Sequence, residues 1–506
     1  MTEYRIMPTT DDLPYALYTA AQVRHFDDLA INHFGISGYE LMGRAGRAAF
    51  DVMVKRWPDA KTIHLVCGSG NNAGDGFVVA LQAQLCGLNV SITELGDYQK
   101  MSDETRRYRD EYLRAGGIVH ESKTLPKLLD ADVLVDALLG TGLNAPVKGY
   151  WAEAIEAINR FALPVMSLDL PSGLQADSGQ VLGSAIRADL TVTFIGLKQG
   201  MFTAQGKECS GEIFFNDLDI PAKIYASEIL SCRRIDWHKL KHSIALRSRA
   251  SHKGDFGHVL IVGGNAGFSG AARLSAEAAL RSGAGLVSVA TRASHASTLN
   301  LGRPEIMVHA VESADALRKL LGKVSVIVLG PGLGKDDWAK SMYETVIRDD
   351  RPLVLDADGL NLFSEHPVKF DNRPVIMTPH PGEAGRLLNL ASQDVNCDRF
   401  ESVRNLQQKF GCTVVLKGAG TLIASSGNQP AALCSEGNPG MASGGMGDVL
   451  AGIAGTMLAQ NEEVDLAACL AVSLHSAAAD RAAEEGEIGL LASDLFSRIR
   501  SLINAA

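Results

Sequence analysis

NPGMASGGMGDVLAG, residues 438–452, places four glycines between Gly440 and Gly447 in an apolar run that then takes on helical character. Glycine lets backbone amides approach an anion closely, and a helix N-terminus presents unpaired N–H groups under a positive partial charge. The single acid of the stretch, Asp448, stands where the helix begins. A carboxylate repels phosphate, so its place is beside a hydroxyl next to the phosphate, with the amides of Gly445, Met446 and Gly447 facing the anion. The plainer alternative, a helix start capped by Asp448, accounts for the acid but not for the four glycines. A helix N-terminus favours the ionised carboxylate, so Asp448 is expected to be a weak base that orients a hydroxyl. No P-loop accompanies it: Gly334-Lys335 runs into Asp336, and Gly322-Lys323 into Val324.

The length of 506 residues exceeds one ordinary core and predicts more than one domain. With 46% hydrophobic and 21% charged residues the composition is globular, and 51 glycines exceed the roughly 7% that is typical, favouring backbone-lined ligand sites. A net charge of -10 and no basic tract argue against nucleic acid as a partner. The eight cysteines form no Cys-x-x-Cys pair, which reads as reduced thiols in a cytoplasmic protein. Neither a signal pattern nor an apolar run of membrane-spanning length is found, so no membrane partner is expected. Oligomeric state is left open, a homo-oligomer included.

Upstream of the glycine-rich stretch, strands are predicted at 258–262, 286–291, 324–329, 353–356, 374–378 and 413–424. Helices such as 336–348, 399–410 and 465–485 alternate with them, which means a mostly parallel sheet covered on both faces. Polar groups gather at the strand ends: Gly330 to Gly334, Asp356 and Asp358, Thr378 to Glu383, and Lys417 to Thr421. His380 is held rigidly between two prolines, and Lys417 can meet phosphate as a point charge or snorkel to solvent. The charged stretch CRRIDWHKLKHSIALRSR (232–249) separates this half from the other, with domains expected at 1–228 and 229–506.

The first half opens with two helices in 20–56. A strand at 62–67, the turn GSGNNAGDG (68–76), a helix to Cys86 and a strand at 89–95 then make a βαβ unit of the doubly wound kind. Gly68, Gly70 and Ala73 fit G-x-G-x-x-A, with Glu94 where a ribose-binding acid would sit. Against an ordinary dehydrogenase, Asn71, Asn72 and Asp75 crowd polar side chains into a turn where a pyrophosphate needs bare backbone. They suit a polar ligand or a hard cation. Asp136 and Asp169 end two further strands, the latter followed by Pro171-Ser172-Gly173. Strand ends of a parallel sheet converge, so Asn72, Asp136, Asp169 and Ser172 are candidates for one site.

The glycine-rich stretch resembles the anion hole of the ribokinase-like superfamily, whose acid contacts the hydroxyl that attacks a nucleotide's terminal phosphate. Together with KGDFG (253–257), GGNAGFSGA (263–271), GPGLG, DADGL, TPHPGE and KGAGT it is similar to the NAD(P)H-hydrate dehydratase family over most of 250–460. NNAGDG, DALLGTG and DLPSG resemble the NAD(P)H-hydrate epimerase family over 15–225. The whole resembles the bifunctional NAD(P)H-hydrate repair enzymes. That implies a Rossmann-like doubly wound α/β sandwich followed by a ribokinase-like α/β sandwich. The first interconverts the R and S epimers of NADH or NADPH hydrated at C6; the second dehydrates the S form with ADP or ATP and Mg2+.

The resemblance also implies site residues. Hydrate contacts fall at Asn71, Asn72, Ala73, Gly74 and Asp75, at Gly140, Thr141, Gly142, Leu143, Asn144, Ala145 and Pro146, and at Asp169. Potassium is held by Asn72, Asp136 and Ser172. Asp169 is the acid–base residue, with Lys198 next in line. In the second half Lys417, Gly418, Ala419, Gly420, Thr421 and Gly447 contact the nucleotide. Ala271, Gly332 or Gly334, His380 and the catalytic Asp448 contact the hydrate. One departure stands out: in Asn216-Asp-Leu-Asp-Ile-Pro, Asp219 replaces the glycine expected there. The rival readings are a vitamin-precursor kinase of the same second-half fold fused to an accessory domain, and a non-enzymatic nucleotide sensor.

Overall fold

The computed structural model describes residues 12–125, 130–370, 373–425, 427, 429–461 and 463–505. The chain divides at Arg233–Arg234 into two compact units.

In the first unit, helix Ala20–Asn32 starts at Thr19, which forms a capping box with Gln22, and buries Val23, Phe26 and Ala30. Seven parallel strands lie in the spatial order Ile118–Glu121, Asn89–Glu94, Thr62–Cys67, Val133–Ala137, Val165–Leu168, Leu190–Phe194 and Glu212–Asn216. Every residue of Val133–Ala137, Val165–Leu168 and Leu190–Phe194 is buried, as befits strands covered on both faces. The chain leaves Thr62–Cys67 toward one edge and returns at Val133–Ala137 toward the other. This reversal opens a crevice above the carboxyl ends of those two strands. Asn71 to Asp75, read from sequence as a turn, instead form the first turn of helix Asn71–Leu85, with Gly70 as its N-cap.

In the second unit, the strands between His258 and Cys434 run in the order Met307–Ala310, Leu286–Thr291, His258–Val262, Val326–Leu329, Leu353–Leu355, Val375–Met377, Thr413–Leu416, Thr421–Ala424 and Ala431–Cys434. All neighbours pair in parallel up to Thr413–Leu416, and the last two strands run antiparallel. The single strand expected at 413–424 is thus two, joined by a turn at 417–420 where Gly418 and Gly420 take φ of 137° and 66°. Only glycine adopts such angles cheaply. Helix Met446–Gln460 is apolar nearly all round and packs between helices Ser269–Arg281 and Val464–Ala483. A Cβ at Gly452 would fall 2.0 Å from the Ser275 carbonyl oxygen. That close approach seats the N-terminus of the helix over the strand ends.

Candidate functional site

The crevice of the first unit holds about 760 Å³ and is lined by Asn71, Asn72, Asp75, the loop from Leu138 to Ala145, and Asp169. Of the residues assigned to the hydrate, Ala73, Gly74 and Pro146 do not line it. Ala73 lies in the apolar core, and Gly74 packs against Met42 and Thr105. Asp136 is buried and accepts hydrogen bonds from Ser172 Oγ (2.6 Å), Ser172 N (2.9 Å) and Ser167 Oγ (2.8 Å). Burial raises its pKa against the pull of these donors. Asn72 Nδ2 donates to the Leu139 carbonyl (3.0 Å), whose own amide donates to Ser172 Oγ (2.8 Å). Asn72 Oδ1 is buried without a partner, a cost that a bound cation would relieve.

Asp169 follows strand Val165–Leu168 with φ of 62°. Left-handed backbone is rare for side chains other than glycine and gathers at functional sites. Ile195 (φ 63°) and Leu218 (φ 53°) share that conformation and line the same crevice. Asp219 has φ of 52°, which accounts for the glycine expected in its place; Asp tolerates this region better than most residues. The Lys198 ammonium, fully buried, is ion-paired with Asp169 and donates to Thr193 Oγ1 and the Phe194 carbonyl, both at 3.0 Å. Lys198 is thereby placed to hold the Asp169 carboxyl in position. Glu94 forms a buried ion pair with Arg109 (2.6 Å) and does not line the crevice. Asp27, missed in the sequence, also lines the crevice. Burial, then Asp169, raises it to about 7, with Lys198 opposing. Its only sequence signal is an acid beside the buried stripe of its helix.

In the second unit Lys417, Gly447 and Asp448 come together at the N-terminus of helix Met446–Gln460. A Cβ at Gly447 would lie 3.4 Å from Lys417 Nζ and 3.8 Å from Asp356 Oδ2. Lys417 Nζ donates to Asp356 Oδ1 at 2.7 Å and stands 3.9 Å from Glu383 Oε2. Lys417 is no snorkelling lysine: burial works against its charge, but Asp356 and Glu383 outweigh that and raise its pKa. Arg399, buried, donates to the carbonyls of Leu416, Lys417 and Gly420 and so braces the turn that carries Gly418, Ala419 and Thr421. Gly334 N donates to Asp358 Oδ2 (2.9 Å), and a Cβ at Gly332 would touch that of Ala271 at 3.1 Å. His380 caps helix Pro381–Leu388, its amide donating to Glu383 Oε2 (2.8 Å), and Lys417 Nζ connects that helix start to the same cluster.

The expected ionisation of Asp448 is corrected here. Burial raises its pKa to about 7; Asp356 and Asp358 add to the rise, and Lys417 opposes it. Loss of water and two nearby carboxylates outweigh the helix dipole. Glu383 is likewise raised to about 7, by burial first and then Asp356, with Lys417 opposing. Asp356, Asp358, Glu383 and Arg399 had no assigned role in the sequence reading, although the acids stand in the DADGL and TPHPGE segments.

Comparison with known proteins places both halves. Residues 259–501 match the family model described as NAD(P)H-hydrate dehydratase, and residues 38–200 match the YjeF-related protein N-terminus. The chain is 45% identical to the bifunctional NAD(P)H-hydrate repair enzyme of Coxiella burnetii, over 96% of its own length and 99% of the relative's. It is 40% identical to that of Escherichia coli K12, over 100% and 97%. A crystal structure of a ribokinase-like superfamily protein from Enterococcus faecalis covers 55% of this chain and 96% of its own, with 32% identity and a TM-score of 0.50. The chain belongs to the family of bifunctional NAD(P)H-hydrate repair enzymes, which epimerise hydrated NADH and NADPH and dehydrate the S hydrate in a nucleotide-dependent reaction.

Proposed function

We propose that residues 1–228 carry the epimerase and 229–506 the dehydratase, and that the dehydratase works by transient phosphorylation from ADP or ATP. The observation that carries this reading is Lys417 and Asp448 meeting at the glycine-rich helix N-terminus. Hydroxide is a poor leaving group and phosphate a good one. Asp448 takes the proton of the C6 hydroxyl as its oxygen attacks the nucleotide's terminal phosphate, while Lys417 and the amides of Gly445, Met446 and Gly447 face the transferring charge. The C6–O bond then breaks with the help of the ring nitrogen lone pair, phosphate departs, a proton leaves C5, and the double bond returns.

Among the described residues no group of three His, Cys, Asp or Glu side chains is arranged to hold a metal. Mg2+ would accordingly take its ligands mainly from nucleotide phosphates and water, with Asp356 and Asp358 the nearby carboxylates. For potassium the unpartnered Asn72 Oδ1, Ser172 and Asp136 offer the oxygen donors a hard cation takes. The ion would supply positive charge to hold the polar substrate at the strand ends. Among the described residues no helix is long and apolar enough to cross a membrane; a cytoplasmic setting is part of the same proposal.

The test is to incubate the protein with hydrated NADH plus ADP or ATP, follow recovery of NADH absorbance, and take a phosphorus NMR spectrum of the finished reaction. Inorganic phosphate one-for-one with NADH supports the reading. A lasting phosphomonoester of another alcohol, with the hydrate untouched, would establish the kinase alternative.

A further inference from the structure

We propose that Asp27 is a second catalytic residue of epimerisation, the acid that protonates the ring nitrogen while Asp169 takes the proton of the C6 hydroxyl. This rests on the crevice of the first unit being the epimerase site, and adds to it a group on a different element.

Helix Ala20–Asn32 turns Val23, Arg24, Asp27, Asp28 and Ile31 into the crevice, one face at spacings of one and four. Five carboxyls thereby line the cavity, Asp27, Asp28, Asp75, Glu104 and Asp169, and three of them bear on the argument: Asp27, Asp75 and Asp169. Their surroundings differ. Asp169 has the buried Lys198 ammonium and accepts from the Thr193 hydroxyl (3.4 Å), so it is held as an acceptor. Neither Asp27 nor Asp75 makes a hydrogen bond or ion pair through its carboxyl with a described residue, which leaves both free for a ligand. The unpartnered Asn72 Oδ1 in the same cavity also points to a polar ligand there.

Proton affinity then separates the two. Asp75 is raised well above its ordinary value by burial, Asp169 and Asp27, against Lys198. Asp27, raised to about 7 by burial, Asp169 and Asp28 against Lys198 and Arg24, can both give and regain a proton near neutrality. Asp27 and Asp169 enter the same cavity from a helix and from a strand end, the first without a carboxyl partner among the described residues and the second paired with an ammonium.

The chemistry needs such a pair. C6 of the hydrate carries both a hydroxyl and the ring nitrogen N1, so it is a hemiaminal carbon. Asp169 removes the hydroxyl proton, the C6–O single bond becomes a carbonyl, and the C6–N1 bond breaks with its electron pair going to N1. Asp27 gives its proton to N1. The resulting aldehyde rotates to offer its other face. N1 then re-attacks, Asp27 recovers the N1 proton, and Asp169 returns its proton to the oxygen. Both carboxyls end as they began, and no further reactant is consumed.

The test uses the full chain with purified R hydrate, following epimer exchange by chromatography without nucleotide. Asp27→Asn is expected to lower kcat by about 10²–10⁴-fold with little change in KM, the span typical of a lost general acid. Asp27→Glu should recover part of the rate. The double variant with Asp169→Asn should be no slower than Asp169→Asn alone, because groups acting in one step are not additive. Dehydration of S hydrate and the thermal midpoint report folding. In the unmodified enzyme kcat should fall as pH rises through about 7 and the acid loses its proton. Exchange by Asp27→Asn at the wild-type rate, with Asp169→Asn inactive, overturns the role of Asp27 and leaves the crevice as the epimerase site. A raised KM at unchanged kcat makes Asp27 a binding contact only and overturns it too, as does a kcat flat from pH 6 to 9. If both single variants exchange normally, the assignment of the crevice itself falls.

Discussion

The dehydratase half-reaction should titrate with Asp448, and its neighbours should move that titration in known directions. Asp448 is raised to about 7 by burial first, by Asp356 and Asp358 next, against Lys417. The phosphoryl transfer needs the carboxylate, so the rate rises with pH and levels off above about 7. One unit below, at pH 6, about a tenth of the sites are ionised and the rate should drop about tenfold. Asp356→Asn removes a negative neighbour and frees Lys417 from its 2.7 Å hydrogen bond. Both changes favour the Asp448 carboxylate, so the acid limb moves to lower pH. Lys417→Met removes the one group among the described residues that lowers Asp448 and moves the limb to higher pH, besides slowing turnover through lost phosphate contact. The assay is single-turnover NADH recovery from S hydrate with saturating nucleotide between pH 5 and 9. A limb near pH 4, as an ordinary carboxylate at a helix N-terminus would give, or a limb that moves upward in Asp356→Asn, would refute the reasoning.

Asp448→Asn should cut dehydration by about 10²-fold or more while epimer exchange continues, and Asp169→Ala should do the reverse, both read by separating the two epimers over time. Replacing potassium with choline should slow R-hydrate consumption and spare S-hydrate dehydration; equal effects on both would remove Asn72, Asp136 and Ser172 from the epimerase. Gly452→Ala forces a methyl to within 2.0 Å of the Ser275 carbonyl and should destabilise the second unit by about 1–3 kcal/mol, seen as a lower thermal midpoint. An unchanged midpoint would show that the two helices have room the close approach denies.

Much of this protein is written locally. Buried parallel strands appear as apolar runs, their ends as clusters of glycine, proline and acid, and the glycines of 438–452 mark a helix start and a close approach to a neighbouring helix. Those features depend on backbone geometry and burial of nearby residues, which a short window of sequence contains. The left-handed backbone at Asp219 was visible only as a missing glycine, because Asp is one of the few residues that can stand in.

Other features have no local signature. Asn71 to Asp75 are helical because Gly70 caps a helix that tertiary packing favours, although the same residues suit a turn. Nothing near Asp448 in sequence announces Asp356 and Asp358, and nothing near Asp27 announces Asp169 and Lys198. Sequence alone named Asp169 and Asp448 and missed Asp27; how firmly Asp27 and Asp448 hold a proton was decided by tertiary structure. The physical reason is that proton affinity follows the water lost and the charges gained on folding, and both are supplied by elements distant along the chain.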